Sequence, residues 1–200
     1  SERIAVASAL GRVLAGDLIA PIDVPPFDRA NVDGFALRAA DTLGAADAAP
    51  KELKLNAEVI ACGHAPKLEV RSGTATTIAT GGVVPRGADA VVMQEDTQAL
   101  DDARVQVNVV PALGQWIRRS GEDITRGSTV LSAGTRLGPA ELGLAASLGR
   151  DRLKVRAKPR VALFSTGDEL VMPGTVAPAD MPPGAIYNSN RFFLRALLQR

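Results

Sequence analysis

One cysteine, one histidine, one tryptophan and one tyrosine are the whole stock of those four residue types in 200 positions. A single Cys62 excludes an intrachain disulfide framework and fits a reducing compartment, so the expected location is the cytoplasm. A single His64 excludes a histidine-built metal site or a catalytic triad, and Cys62-Gly63-His64 lacks the spacing and ligand count of a zinc site. Aromatic residues make up only 4%, which leaves no platform for stacking nucleobases, and a net charge of +1 gives no electrostatic reason for nucleic acid. No apolar run approaches the length of a membrane span and no leader pattern opens the chain, so no membrane partner is expected.

What is present is 46% hydrophobic, enough for a substantial core in one large domain or two smaller ones. The first eighteen residues read as an amphipathic helix, with Leu10, Val13, Leu14 and Leu18 at helical spacing. Pro21, Pro25 and Pro26 then force an extended path. From Leu53 to Val110 the pattern is of short strands, clearest at Val91-Val92-Met93 and at Val105 to Val109, while 44–50 and 99–103 read as exposed loops. A helix is predicted from Pro139 to Gly149: proline at its first turn, Glu141 at the positive end of the dipole, and glycine as the stop. A buried strand is predicted at Val161-Ala162-Leu163-Phe164, ending in a turn toward a helix. A proline- and glycine-rich loop, 173–183, precedes a last helix, Arg191 to Arg200, capped by Ser189 or Asn190. One parallel strand cannot make a sheet, so the expectation is an N-terminal part of a longer protein.

Four segments are too dense in turn residues and acids to be filler. They are Pro25-Pro26-Phe27-Asp28…Asp33-Gly34-Phe35-Ala36; Thr80-Gly81…Pro85-Arg86-Gly87-Ala88-Asp89-Ala90-Val91-Val92; Arg118-Arg119-Ser120-Gly121-Glu122-Asp123-Ile124; and Ser165-Thr166-Gly167-Asp168-Glu169-Leu170. Each has a bland alternative: Asp33 can simply set a turn before Gly34, Thr80 can cap one, and Asp123 can be a local turn acid. Asp28-Arg29 reads as a surface or interdomain pair, and Arg118 and Arg119, if in a strand, point to opposite faces. Trp116 reads as packing between domains rather than as a stacking platform.

In this order the four segments resemble the molybdopterin molybdenumtransferase family, the MoeA proteins and the gephyrin E domain, over nearly the whole chain. The resemblance implies a mixed α+β and α/β, elongated, multidomain chain. Residues 1–24 with 118–152 form a helical and β linker domain, 25–117 a small β-rich domain, and 153–200 the incomplete start of an α/β molybdopterin-binding domain. It implies an enzyme of molybdenum cofactor biosynthesis that takes adenylylated molybdopterin and molybdate, cleaves the phosphoanhydride with magnesium and releases AMP. It further implies a homodimer whose site forms where the α/β domain of one subunit faces the β domain of the other, and a molybdopterin adenylyltransferase as partner.

By position, the resemblance puts Asp33, Asp123 and Glu169 in catalysis. It puts Thr80, Gly81, Ser165, Thr166 and Gly167 on substrate, and Asp168 and Glu169 on the metal. The residue types suit anionic substrates. The Thr80 hydroxyl and the N–H groups of Gly81 and Gly82 can form an anion nest, Arg118 or Arg119 can pair with phosphate, and the carboxylates can hold magnesium. Two departures weaken the carry-over: Asn188 stands where relatives usually have aspartate, and the family's glycine-serine-rich pterin loop lies beyond residue 200. The rival expectation is a non-catalytic scaffold of the gephyrin type.

Overall fold

A computed structural model describes residues 1–199 and separates them into two compact units, Ser1–Arg156 and the part from Ala157 onward. Strands dominate, with two α-helices. The strands of the first unit are β1 (Glu2–Ala5), β2 (Leu18–Ile19), β3 (Arg29–Ala30), β4 (Gly34–Leu37), β5 (Lys51–Ile60), β6 (Thr74–Ile78), β7 (Ala90–Met93), β8 (Thr97–Asp101), β9 (Arg104–Val107), β10 (Ile117–Arg118), β11 (Thr129–Leu131) and β12 (Arg152–Val155), with α1 (Pro139–Ser147) before β12. The second unit holds β13 (Leu170–Val171), β14 (Ile186–Tyr187) and α2 (Ser189–Gln199).

The centre of the first unit is a six-stranded sheet in the order β7-β4-β6-β5-β9-β8, antiparallel except for the β5–β6 pair. Period-two alternation distributes its apolar side chains to both faces. Leu37, Val92, Val105 and Val107 belong to one buried cluster, and Ala36, Val91, Ile60 and Ile78 to the other. The predicted strands around Val91-Val92-Met93 and Val105-Gln106-Val107 are β7 and β9. The stretch 99–103, expected as a loop, instead begins inside β8: β9 offers a ladder partner, and the turn is confined to Asp102 and Ala103, with Asp101 Oδ1 accepting the Ala103 N–H at 2.9 Å.

A second assembly joins the two ends of this unit. β1 pairs antiparallel with β12, β2 with β11, and their side chains pack with α1 around Leu14, Leu18, Leu137, Leu148, Leu153 and Val155. The predicted helix over the first eighteen residues is therefore absent. Leu14 and Leu18 are buried as expected, but Leu10 is 62% exposed, because Glu2–Ala5 satisfies its backbone on β12 and Gly11 turns the chain in the left-handed region. Helix α1, in contrast, forms where predicted. Pro139 opens it, the Glu141 carboxylate accepts the Gly138 N–H at 2.8 Å, and Gly149 follows its last turn with φ +72°.

In the second unit the predicted strand at Val161 to Phe164 is not a strand. These residues find no ladder partner among the described residues, and Phe164 is 83% exposed; the only strand ladder described in this unit is the parallel one of β13 with β14, beside an isolated bridge of Pro173 with Val176. The chain after Glu169 accordingly enters a strand rather than a helix. The last helix begins at Ser189, and its cap is neither Ser189 nor Asn190 but Asn188, whose Oδ1 accepts the Arg191 N–H at 3.2 Å. Its expected end at Arg200 lies outside the described residues.

The two units differ in what holds them. Ser1–Arg156 contains every buried apolar side chain, whereas from Ala157 to Gln199 only Asn188 is buried. Hydrophobic burial is the main stabilising term in folding, so the second unit opens far more readily. Brief trypsin digestion of the chain is expected to cut first after Arg160, since Pro159 shields the bond after Lys158. The Arg156 backbone is held by Val13 and Arg12, so a resistant core ending at Arg160 remains. Loss of both units at one rate would refute this difference, and mass spectrometry of the fragments reads it.

Candidate functional site

One end of the six-stranded sheet gathers four chain segments. β4 and β6 are antiparallel neighbours with Gly34 opposite Ile78, so Asp33, just before β4, meets Thr80, two residues beyond β6. Asp33 Oδ1 accepts both the Thr80 N–H at 2.6 Å and the Thr80 hydroxyl at 2.9 Å. From beyond β7, the Gln94 N–H reaches the Asp33 carbonyl at 3.2 Å. From beyond β5, Cys62 Sγ donates to the Thr80 carbonyl at 2.8 Å. The sequence excluded Cys62 from a disulfide and from a zinc site and gave it no other role. Its contact with Thr80 becomes visible only once β5 and β6 are laid side by side.

This geometry settles the chemistry of the pair. The hydrogen bond from the Thr80 N–H, the largest influence, and that from its hydroxyl hold the Asp33 carboxyl below its ordinary value of 3.8. Asp33 is ionised at neutral pH and brings no proton to the contact, so Thr80 must be the donor. What faces outward is a carboxylate oxygen and a hydroxyl lone pair: an acceptor pair of negative charge, suited to N–H or O–H donors rather than to oxyanions. The expected anion nest is likewise absent. The Gly81 N–H donates to the Ala30 carbonyl and the Gly82 N–H to the Ala79 carbonyl, both at 2.8 Å. Gly81, at φ +82°, contributes a turn that an L-residue rarely adopts.

Because Asp33's pKa is lower folded than unfolded, its stabilisation is complete above the ordinary aspartate value and disappears as pH falls through the lowered one. The stability gap between the natural chain and Asp33→Ala is expected to be constant from neutral pH down to about pH 4, near the free aspartate pKa, and to close below it. Denaturant titrations of both proteins across that range check this; a gap still full well into the acid range would contradict it.

Beside this corner runs β3, bonded on one side to Gly81 and Gly82 and on the other to β10. The turn after β10 is a knot of ion pairs. Arg118 Nη2 contacts Asp123 Oδ1, and Arg119 Nη1 lies 2.6 Å from Asp28 Oδ2, while Asp28 Oδ1 accepts the Ser120 N–H at 2.8 Å. Burial is the largest influence on Asp28 and raises its pKa, but the hydrogen bonds from Ser120 and Arg119 with the Arg119 charge outweigh it and leave the carboxyl below its ordinary value. The hydrogen bond and charge of Asp123 push the Arg118 guanidinium upward. The partner of Asp28 is thus Arg119, 91 residues away, not its neighbour Arg29. Neither arginine of the motif is left with a free charge for phosphate.

In the second unit, Ser165 and Thr166 line a cavity of about 230 Å³ together with Tyr187 and Asn188. Asn188 caps α2 through an amide oxygen, a role that needs an acceptor and no charge, which explains how asparagine serves where an acid was expected. Gly167 has φ +148°, and the Glu169 carboxylate lies where a side chain at 167 would be. The side chains of Asp168 and Glu169 make no hydrogen bond or ion pair among the described residues.

The residues present do not fit a magnesium site. Among the described residues no three His, Cys, Asp or Glu side chains converge on a point that could hold a metal ion. One oxygen of Asp33 is engaged by Thr80, Asp123 is engaged by Arg118, and the Asp168–Glu169 pair alone is too few ligands.

Residues 1–149 match the sequence pattern described as the MoeA N-terminal region (domain I and II). The chain belongs to the MoeA family. Over 197 residues it is 43% identical to Molybdopterin molybdenumtransferase 2 of Mycobacterium tuberculosis, covering 98% of this chain and 47% of that protein. Over 201 residues it is 37% identical to Molybdopterin molybdenumtransferase of Haemophilus influenzae, covering 100% of this chain and again 47% of the relative. The crystal structure of the molybdopterin biosynthesis moeA protein from Pyrococcus horikoshii OT3 superposes with a TM-score of 0.89 at 37% identity, over 99% of this chain and 51% of that one. The chain thus spans about half the length of the relatives it matches. No helix among its described residues is long and apolar enough to cross a membrane.

Proposed function

We propose that this MoeA chain contributes one part of the site of a molybdopterin molybdenumtransferase. In that reaction adenylylated molybdopterin and molybdate are the substrates. The phosphoanhydride is cleaved, AMP leaves, and molybdenum stays on the dithiolene. The carrying observation is the Asp33–Thr80 pair, an ionised acceptor built at the end of a rigid sheet within the segment that matches the family. Its charge assigns it to the donor groups of the substrate. The reading includes assembly as a homodimer. It also includes supply by an adenylyltransferase, since an adenylylated substrate is the product of adenylyl transfer. Magnesium enters only as a cation whose ligands these residues do not assemble.

The test is molybdate-dependent AMP release from adenylylated molybdopterin by the full-length protein and its Thr80→Val variant. Valine keeps the branched shape and the backbone N–H but removes the hydroxyl. One lost polar contact in the reacting complex corresponds to a fall of about tenfold in kcat/KM, with little change in melting temperature. An unchanged rate, or release independent of molybdate, would overturn the proposal.

A further inference from the structure

Arg118 and Arg119 are neutralised within the chain and the Asp33–Thr80 corner is itself negative, so none of them offers a free positive charge to an anion. A cavity of about 640 Å³, well within the size range of small-molecule sites, opens between residues 66–71 and 83–86. Its cations are Lys67, Arg71 and Arg86, against one acid, Glu69; its apolar wall is Leu68, Val83 and Val84. Arg71 lies 4.0 Å from Glu69 in an exposed pair, whereas the side chains of Lys67 and Arg86 make no ion pair or hydrogen bond among the described residues. A chain of net charge +1 has two uncompensated cations on one concave surface.

The walls are held in place. Glu58 Oε1 accepts the Lys67 N–H and Oε2 the Leu68 N–H, each at 2.9 Å, which sets the first segment. The buried Val70 donates its N–H to the Arg86 carbonyl at 2.8 Å and so ties the two segments together. Gly87, at φ +85°, lets the Val70 carbonyl approach where any side chain would collide. These bonds orient the backbones that carry Lys67 and Arg86 without using their charges, a preorganised arrangement rather than a solvated loop.

We propose that this cavity binds an organic phosphate: a phosphate monoester held by Lys67 and Arg86, its apolar ring lying on Leu68, Val83 and Val84. Arg86 offers the planar fork that matches phosphate oxygens, Lys67 a second point charge, and the apolar wall favours a ring over the bare anion. The site uses no residue of the Asp33–Thr80 corner, so its failure leaves that reading intact, and the reverse also holds.

The experiment titrates the chain with phenyl phosphate, inorganic phosphate and phenol at low salt, following amide resonances of residues 66–71 and 83–87. Phenyl phosphate is expected to saturate, with inorganic phosphate about tenfold weaker and phenol weaker still, and added salt to weaken both anions. Arg86→Gln and Lys67→Gln are each expected to lower phenyl phosphate affinity about tenfold. Lys51→Gln, which removes a charge at the opposite end of β5, leaves it unchanged. Both cavity substitutions are on exposed side chains, and unchanged spectra elsewhere confirm the fold. Absence of saturation, saturation that survives the double variant, or equal affinity for phosphate and phenyl phosphate would each overturn the proposal. So would displacement of phenyl phosphate by an acidic peptide at much lower concentration, which would assign the cavity to a protein partner.

Discussion

Gly34→Ala is expected to remove most of the stability of the first unit, about 4 kcal/mol or more, at the extreme of single substitutions. Gly34 opens β4 between β6 and β7, and the Val92 carbonyl of β7 stands in the space that a Cβ at position 34 would fill. The collision is with backbone atoms of the edge strand β7, so no rotamer change relieves it, and the sheet must separate along β4–β7. A typical domain has only about 5–15 kcal/mol in total, so the loss is a large share of the margin and the unfolding midpoint falls sharply. Gly16→Ala is the control: Gly16 has no positive φ and nothing near its missing Cβ, and the change is expected to be neutral or to add about 0.5 kcal/mol. Urea unfolding of the three proteins decides it; a Gly34→Ala midpoint close to the natural one would mean that β4 and β7 do not approach as described.

Glu169→Gln in the full-length protein is expected to abolish nearly all AMP release, by about 100-fold or more, while leaving stability within about 0.5 kcal/mol. The Glu169 backbone carbonyl accepts the Ile186 N–H at 2.8 Å and so locks the start of β13, but its exposed carboxylate makes no hydrogen bond or ion pair among the described residues. The backbone keeps the turn, and the carboxylate takes no part in holding it. An amide preserves shape and removes that charge, which separates the two roles. A variant that melts early while its folded fraction turns over normally would make Glu169 structural and withdraw the turn from the site.

The sequence was most legible where local signals agreed with one another. Helix α1 has its proline, acid and glycine at the right offsets, and β7 and β9 carry alternation that only a two-sided sheet explains. It misled where the deciding partner lay far along the chain. Leu10, Val13, Leu14 and Leu18 fit a helical period, yet their conformation is set by β12 and β11, more than a hundred residues away. Val161 to Phe164 has the composition of a buried strand, but composition cannot supply the neighbour that makes one. For the site, the sequence picked out Asp33, Thr80 and Asp123 as separate acids and hydroxyls. That Asp33 grips Thr80 follows from the register of β4 on β6, whereas the hold of Arg118 on Asp123 and of Ala79 on the Gly82 N–H is made inside local turns whose shape the residue types alone do not give.

The pairing of β1 with β12 also sets a timetable for synthesis. Residues 2–5 emerge from the ribosome well before their partners, 152–155, which are about 150 residues later, a wait of about 8–30 s at ordinary elongation rates. Over that interval the six-stranded sheet, complete by residue 107, can form by itself, whereas the N-terminal arm carries Ile4, Leu14 and Leu18 with no core to enter. Closing so long a loop is slow but entropically only a little harder than closing a shorter one. The arm is therefore the last part of this unit to fold and, while the chain is still growing, the part that most needs protection from other nascent chains.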